Sequence, residues 1–164
     1  GCTPSKLADH PASSESTLWI LRPALSGANL VHDLGYVESG MTCSYEMIVL
    51  CDEIVSYVRR LMEGFQITPE TLALDAIDEV GPGNDFLGHA HTLRHFREVW
   101  QPRVFDRNTY EGWVAADNPT AFGYAREMAR QAVAEHRCEP LSDAVLETLQ
   151  ELVAEADKRA GVAG

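Results

Sequence analysis

A chain of 164 residues suits one domain, with room for an appendage but not for two large units. At 45% hydrophobic, 8% aromatic and 23% charged residues it is neither wholly disordered nor collagen-like. Thirteen Lys and Arg face 25 Asp and Glu, a formal net charge of −12, and so acidic a surface repels nucleic-acid phosphates and anionic membranes.

Residues 1–14 are small and polar, with Pro4 and Pro11, and are expected as loop. From Glu15 the composition turns helical until Pro23, which lacks an N–H and must kink or end the helix. Ala28 to Asp33 is short and partly β-branched, and Leu34-Gly35 follows it, so it reads as a buried strand. Ser44 is a good N-cap for a long helix to about Met62. There Ile48, Cys51, Ile54, Val55, Val58, Leu61 and Met62 recur at helical spacing, and Gly64 ends the run. Thr68-Pro69-Glu70 starts a second helix, with Leu72, Ala76, Ile77 and Val80 as its buried face and Gly81-Pro82-Gly83 as its stop. Asn84 to Thr92 has room for another short strand, and a helix around Leu93 to Val99 comes next, with Thr92 as its natural cap. An irregular aromatic-rich segment spans Trp100 to Trp113. Asn118-Pro119 opens a helix to about His136, and Ser142 caps a last one striped by Val145, Leu146, Leu149, Leu152 and Val153.

Three groups could carry chemistry. The stretch His32-Asp33-Leu34-Gly35-Tyr36-Val37-Glu38 offers an imidazole, a phenol and two carboxylates at a strand end, where α/β enzymes place active sites. The competing reading has Asp33 pairing locally and His32 as a satisfied core histidine. His89, His91 and His95 form an HxH with a third histidine four residues on, a set that could ligate zinc; hydrogen-bonded loop histidines are the alternative. Cys43 stands just before a helix start, where a thiolate is favoured, although a small buried filler is the plainer role. Gly81-Pro82-Gly83 is no phosphate loop, since it lacks the Lys and Ser/Thr of one. Cys2, Cys43, Cys51 and Cys138 are too scattered for a disulfide framework and read as reduced thiols of a cytoplasmic protein. No apolar run reaches the roughly 18 residues that a bilayer span needs.

Taken together, several blocks resemble a known family. They are Gly27-Ala28-Asn29-Leu30, Gly35-Tyr36-Val37-Glu38-Ser39-Gly40, Cys43-Ser44-Tyr45-Glu46-Met47, Asp52-Glu53-Ile54, Glu79-Val80-Gly81-Pro82-Gly83, and Phe86-Leu87 with His91-Thr92. Their order and spacing, clearest over residues 1–115, are similar to the carboxyl-terminal part of the trimethylamine methyltransferase family, which includes glycine betaine methyltransferases. The resemblance implies an α/β fold: the carboxyl-terminal part of a TIM (β/α)8 barrel, predominantly helical with two or three short parallel strands. It implies that residues 1–104 are the last strand–helix units and 105–164 a helical region, the amino-terminal half of the barrel being absent from a chain that starts at Gly1.

The activity implied is transfer of a methyl group from a methylated or quaternary amine to the cobalt of a corrinoid (cobalamin) carried by a separate protein, with no cofactor or metal bound directly. Trimethylamine-specific members carry pyrrolysine; these 164 residues hold none, which turns the expectation toward a betaine-like substrate. His32, Tyr36, Glu38 and His91 are the expected substrate-binding residues, facing a common cavity. Half a barrel exposes strand edges and apolar interior, so a homo-oligomer is expected as well. The alternatives left open are a catalytically inactive, oligomerising fragment and a helical zinc-binding module.

Overall fold

The computed structural model describes residues 1–162. The described residues divide into two compact units, one of residues 1–131 and one beginning at 132.

The first unit is built on a pair of helices. α1 (His10–Leu25) is capped by Asp9, whose carboxylate accepts from the Ala12 N–H at 3.0 Å. It starts five residues before the expected Glu15, because Asp9 supplies the cap and Pro11 fits the first turn. Pro23 sits in its last turn, and the helix ends two residues later. α2 (Tyr45–Glu63) has the expected Ser44 cap, which accepts from the Met47 N–H at 3.2 Å, and stops at Gly64. Its buried stripe is Met47, Leu50, Cys51, Ile54 and Val58. Leu61 and Met62, expected in that stripe, are exposed. Ala12 and Ile20 of α1 join the α2 stripe in one core with Val37, Val104 and Ala125. Val104 and Phe105, which flank the boundary expected at 104/105, both pack in this core.

Between α1 and α2 the expected strand is not formed. Residues 28–33 are irregular, Leu30 is 76% exposed, and Asp33 has φ of 61°, which no strand accommodates. Among the described residues no parallel strand offers this run a ladder. The sheet that does occur is small and antiparallel: β1 (Tyr36–Val37) pairs with β2 (Thr42–Cys43), Tyr36 opposite Cys43. The parallel strands of the expected barrel are therefore absent from the described residues, and α2 has no strand to return along.

A short helix α3 (Pro69–Leu72) begins at the expected Thr68, in a capping box closed by Thr71. Ala73, at φ of 50°, breaks it from α4 (Leu74–Val80). The stretch before Ala90 forms no strand. α5 (Ala90–His95) starts earlier than expected, capped by His89 rather than Thr92, and a 3-10 turn (Phe96–Glu98) continues it. α6 (Tyr110–Ala115) and α7 (Ala121–Glu135) follow. α8 (Asp143–Ala160) lies in the second unit, its apolar stripe between 41% and 60% exposed. No helix among the described residues is long and apolar enough to cross a membrane.

Candidate functional site

The turn between α1 and α2 concentrates unusual backbone. Asp33, Glu38 and Ser39 all have positive φ, between 50° and 61°, without being glycine. Such residues cost about 1–3 kcal/mol each and persist where the surroundings fix them. Here the amino-terminal run does so. Thr3 N–H donates to the Tyr36 carbonyl at 3.2 Å, Ser39 N–H to the Thr3 carbonyl at 2.9 Å, and Glu38 N–H to the Ser5 carbonyl at 2.7 Å. Thr3 is itself fully buried, and its hydroxyl donates to Glu15 of α1. Gly35 makes the tight approach to α2 possible. At φ of +83° a Cβ there would lie 2.3 Å from Ile48 Cγ1 and 3.1 Å from the Ile48 nitrogen.

A cavity of about 680 Å³ opens beside this turn. Trp19, Pro23, Leu30 and Val31 give it apolar walls; Arg22, His32 and Asp33 give it charge and polarity. His32 and Asp33 pair with each other, Nδ1 to Oδ2 at 2.9 Å, and both side chains are more than half exposed. Aromatic surface and a carboxylate are chemically suited to a cation, and a guanidinium to an anion, so the cavity offers complementary groups to both.

Of the residues expected to share a cavity, only His32 lines this one. Val37 turns into the core at 2% exposure, so its strand neighbour Tyr36 faces away from the core and is 39% exposed. Glu38 is exposed and accepts from Thr42 Oγ1 at 3.1 Å. His91 belongs elsewhere, on a second cavity of about 540 Å³ lined by Pro69, Glu70, Ala73, His89 and Arg94. Trp19 and Arg22 were missed because they stand on α1, read only as a helix; their spacing of three on one face was the available signal. Cys43, for which a buried role was the plainer reading, is exposed.

At the second cavity α3 and α5 meet through charge. Glu70 Oε1 accepts from Arg94 at 2.9 Å and lies 2.9 Å from His95 Nε2. The hydrogen bonds from His95 and Arg94 hold the Glu70 carboxyl well below its ordinary range, at about 2. The same bond to Glu70, and a second to Glu98, push the His95 imidazole up. His89 takes no part in this cluster. Its Nδ1 accepts from the His91 N–H at 3.1 Å, and its Nε2 faces Glu79 at 3.2 Å.

Comparison with known proteins matches residues 1–161 to the family model described as trimethylamine methyltransferase (MTTB). The chain is 33% identical to trimethylamine methyltransferase MttB2 of Methanosarcina mazei over 154 residues, 94% of this chain and 31% of that protein. It is 34% identical to trimethylamine methyltransferase MttB of Desulfitobacterium hafniense, over 99% of this chain and 33% of that one. Glycine betaine methyltransferase of D. hafniense is 35% identical over 116 residues, 70% of this chain and 24% of that enzyme. The chain thus spans about a third of the length of the trimethylamine relatives it matches. A match that runs from the first residue through the last helix leaves no part of the fold outside it, and this chain belongs to the trimethylamine methyltransferase family.

Proposed function

We propose that this chain is the carboxyl-terminal part of a methyltransferase that takes a methyl group from a quaternary amine of the betaine class and passes it to a corrinoid carried by a separate protein. Membership of the family supports the methyl transfer. The observation that carries the substrate class is the cavity beside His32, where Trp19, Asp33 and Arg22 stand together. Trimethylammonium and betaine both present a cation, but only betaine has a carboxylate for Arg22.

In this reading the chain's residues bind and orient; they do not attack. The reduced corrinoid supplies the electron pair that forms the new bond to the methyl carbon. The C–N pair stays on nitrogen, and a quaternary amine leaves as a neutral tertiary amine, so no residue need donate a proton. Asp33 and the Trp19 face hold the ammonium, Arg22 holds the carboxylate, and His32 fixes Asp33 by their 2.9 Å contact. Tyr36 and Glu38 stand on the adjoining turn, outside the lining of this cavity. His91 is left out, because it opens on the other cavity.

The barrel belongs to this proposal for the whole enzyme, with its parallel strands supplied from outside residues 1–162. So do a cytoplasmic setting, consistent with four unpaired cysteines, and a homo-oligomer, supported by the exposed stripe of α8.

The test is methylation of reduced cobalamin, followed by its visible spectrum, with glycine betaine or trimethylamine supplied to the complete enzyme. Turnover with betaine, and at least a tenfold rise in KM in Arg22→Gln, is expected. Turnover with trimethylamine alone, or an Arg22→Gln enzyme indistinguishable from the parent, overturns the substrate assignment.

A further inference from the structure

We propose that Glu70, His91 and His95 form a binding site for Zn²⁺, with Glu98 holding the remaining ring nitrogen of His95. The site is separate from the amine cavity, and the proposal does not rest on the function proposed above.

The donors converge from two elements. α5 places His91 and His95 four residues apart on one face, and α3 brings Glu70 against them from more than twenty residues upstream. Their ligand atoms, two imidazole nitrogens and a carboxylate oxygen, all lie within 4.8 Å of one another. Glu70 Oε1 stands 2.9 Å from His95 Nε2 and 3.9 Å from His91 Nε2. Tetrahedral zinc with bonds near 2.0–2.2 Å sets its donors about 3.4 Å apart, between those two distances. Small rotations of the exposed Glu70 and the partly exposed His91 and His95 side chains therefore suffice to close the site.

A second feature marks it as more than an ion pair. Glu98 Oε2 lies 2.9 Å from His95 Nδ1, leaving Nε2 to point at Glu70. A carboxylate behind a ligating histidine fixes the ring and raises its basicity, the arrangement that supports zinc-bound imidazole elsewhere. The rings of His91 and His95 already stand side by side, centroids 4.4 Å apart. His91 Nε2, now 2.8 Å from the Glu70 carbonyl oxygen, has to exchange that partner for the metal. Arg94 keeps a place as well: with zinc on one carboxylate oxygen, the other remains for its guanidinium. Three protein ligands leave a fourth position for water, and two of the three, Glu70 and His91, also line the 540 Å³ cavity.

The histidine set read from the sequence was His89, His91 and His95. The structure replaces His89, spent as the cap of α5, with Glu70. Two histidines and a carboxylate with an open fourth position are a recurring zinc donor set.

The experiment is isothermal titration of the purified chain with zinc chloride, together with imidazole ¹⁵N spectra of the same protein. One equivalent should bind, and zinc should shift the ring resonances of His91 and His95 while those of His10 and His32 stay in place. Glu70→Gln should weaken binding at least tenfold and Glu98→Gln about tenfold, both measured on variants whose circular dichroism matches the parent. A Cys138→Ser variant controls for the exposed thiol 3.9 Å from His136 and should bind as the parent does. Failure to bind zinc, shifts confined to His136, or loss of binding in Cys138→Ser would each overturn the proposal. The spectra of the parent protein decide the matter even if a variant fails to fold.

Discussion

Glu53, at the centre of α2, accepts a hydrogen bond from the backbone N–H of Arg103, fifty residues further on, at 2.8 Å. The side chain is fully buried, and its other oxygen has no hydrogen-bond partner, only the Arg103 guanidinium 3.6 Å away. Together with Arg103–Asp52 and Trp100–Ser56, this carboxylate ties the segment after α5 to α2, where Val104 sits in the core. Glu53→Ala strands the Arg103 N–H and opens a hole, and it should cost about 3–5 kcal/mol. Glu53→Gln keeps an acceptor for that N–H and should cost about 1–2 kcal/mol less than the alanine. Urea unfolding curves measure both; equal losses would mean that packing volume, not the hydrogen bond, makes the contact.

Gly35→Ala should be among the most damaging small substitutions in the chain. Its φ of +83° is strained for any L-residue, and the new Cβ would overlap Ile48. Together these should cost about 2–4 kcal/mol. Adding Ile48→Ala should recover only the side-chain share, because the Ile48 nitrogen stays 3.1 Å from the new carbon. Thermal melts of the single and double variants give the split.

The Glu70–His95 pair makes the α3–α5 contact sensitive to pH in two directions. His95 is raised above its ordinary 6.5, so its contribution is complete below about 6.5 and fades as pH climbs through the raised value. Glu70 is lowered from 4.5 to about 2, so its contribution is complete above 4.5 and fades as pH falls toward 2. The contact is firmest between about pH 4.5 and 6.5. Histidine titration by NMR should show His95 titrating late in the parent and closer to 6.5 in Glu70→Gln, and half-molar salt should shrink the difference because the groups are exposed. An unchanged His95 in Glu70→Gln would assign the shift to Glu98 instead.

The stripe of α8 offers a test of self-association. Val145, Leu149 and Leu152 are each at least 44% exposed on one face. Sedimentation at micromolar concentration should show a dimer or larger species, and Leu149→Glu should return it to monomer without altering helix content. A parent protein that sediments as a monomer removes the homo-oligomer from the proposal.

What could be read from the sequence follows how local its cause is. α2 was legible because Ser44, a helical apolar period and Gly64 lie within twenty residues of one another. The capping box at Thr68 was legible for the same reason. The supposed strand at 28–33 was not, since a β-branched run becomes a strand only beside a partner, and none pairs with it among the described residues. The cavity was half legible: His32 and Asp33 announce themselves as adjacent polar residues, whereas Arg22 and Trp19 arrive through the way α1 packs on α2. Glu70 is the clearest miss, for nothing near His91 and His95 in the chain points to a carboxylate more than twenty residues upstream.

The bonds between Thr3 and the β1 turn bear on how occupancy of the cavity beside His32 could be observed. Thr3 and Ser39 both line that cavity, and the Ser39 amide is tied to the Thr3 carbonyl. A molecule lodged there would contact both segments of chain that this amide joins. Amide hydrogen exchange at Ser39 and Glu38 is thus a built-in gauge: it should slow when a quaternary amine is added and stay unchanged with an uncharged analogue of the same size. Two backbone protons, read without a label or a coupled assay, report whether the cavity is filled.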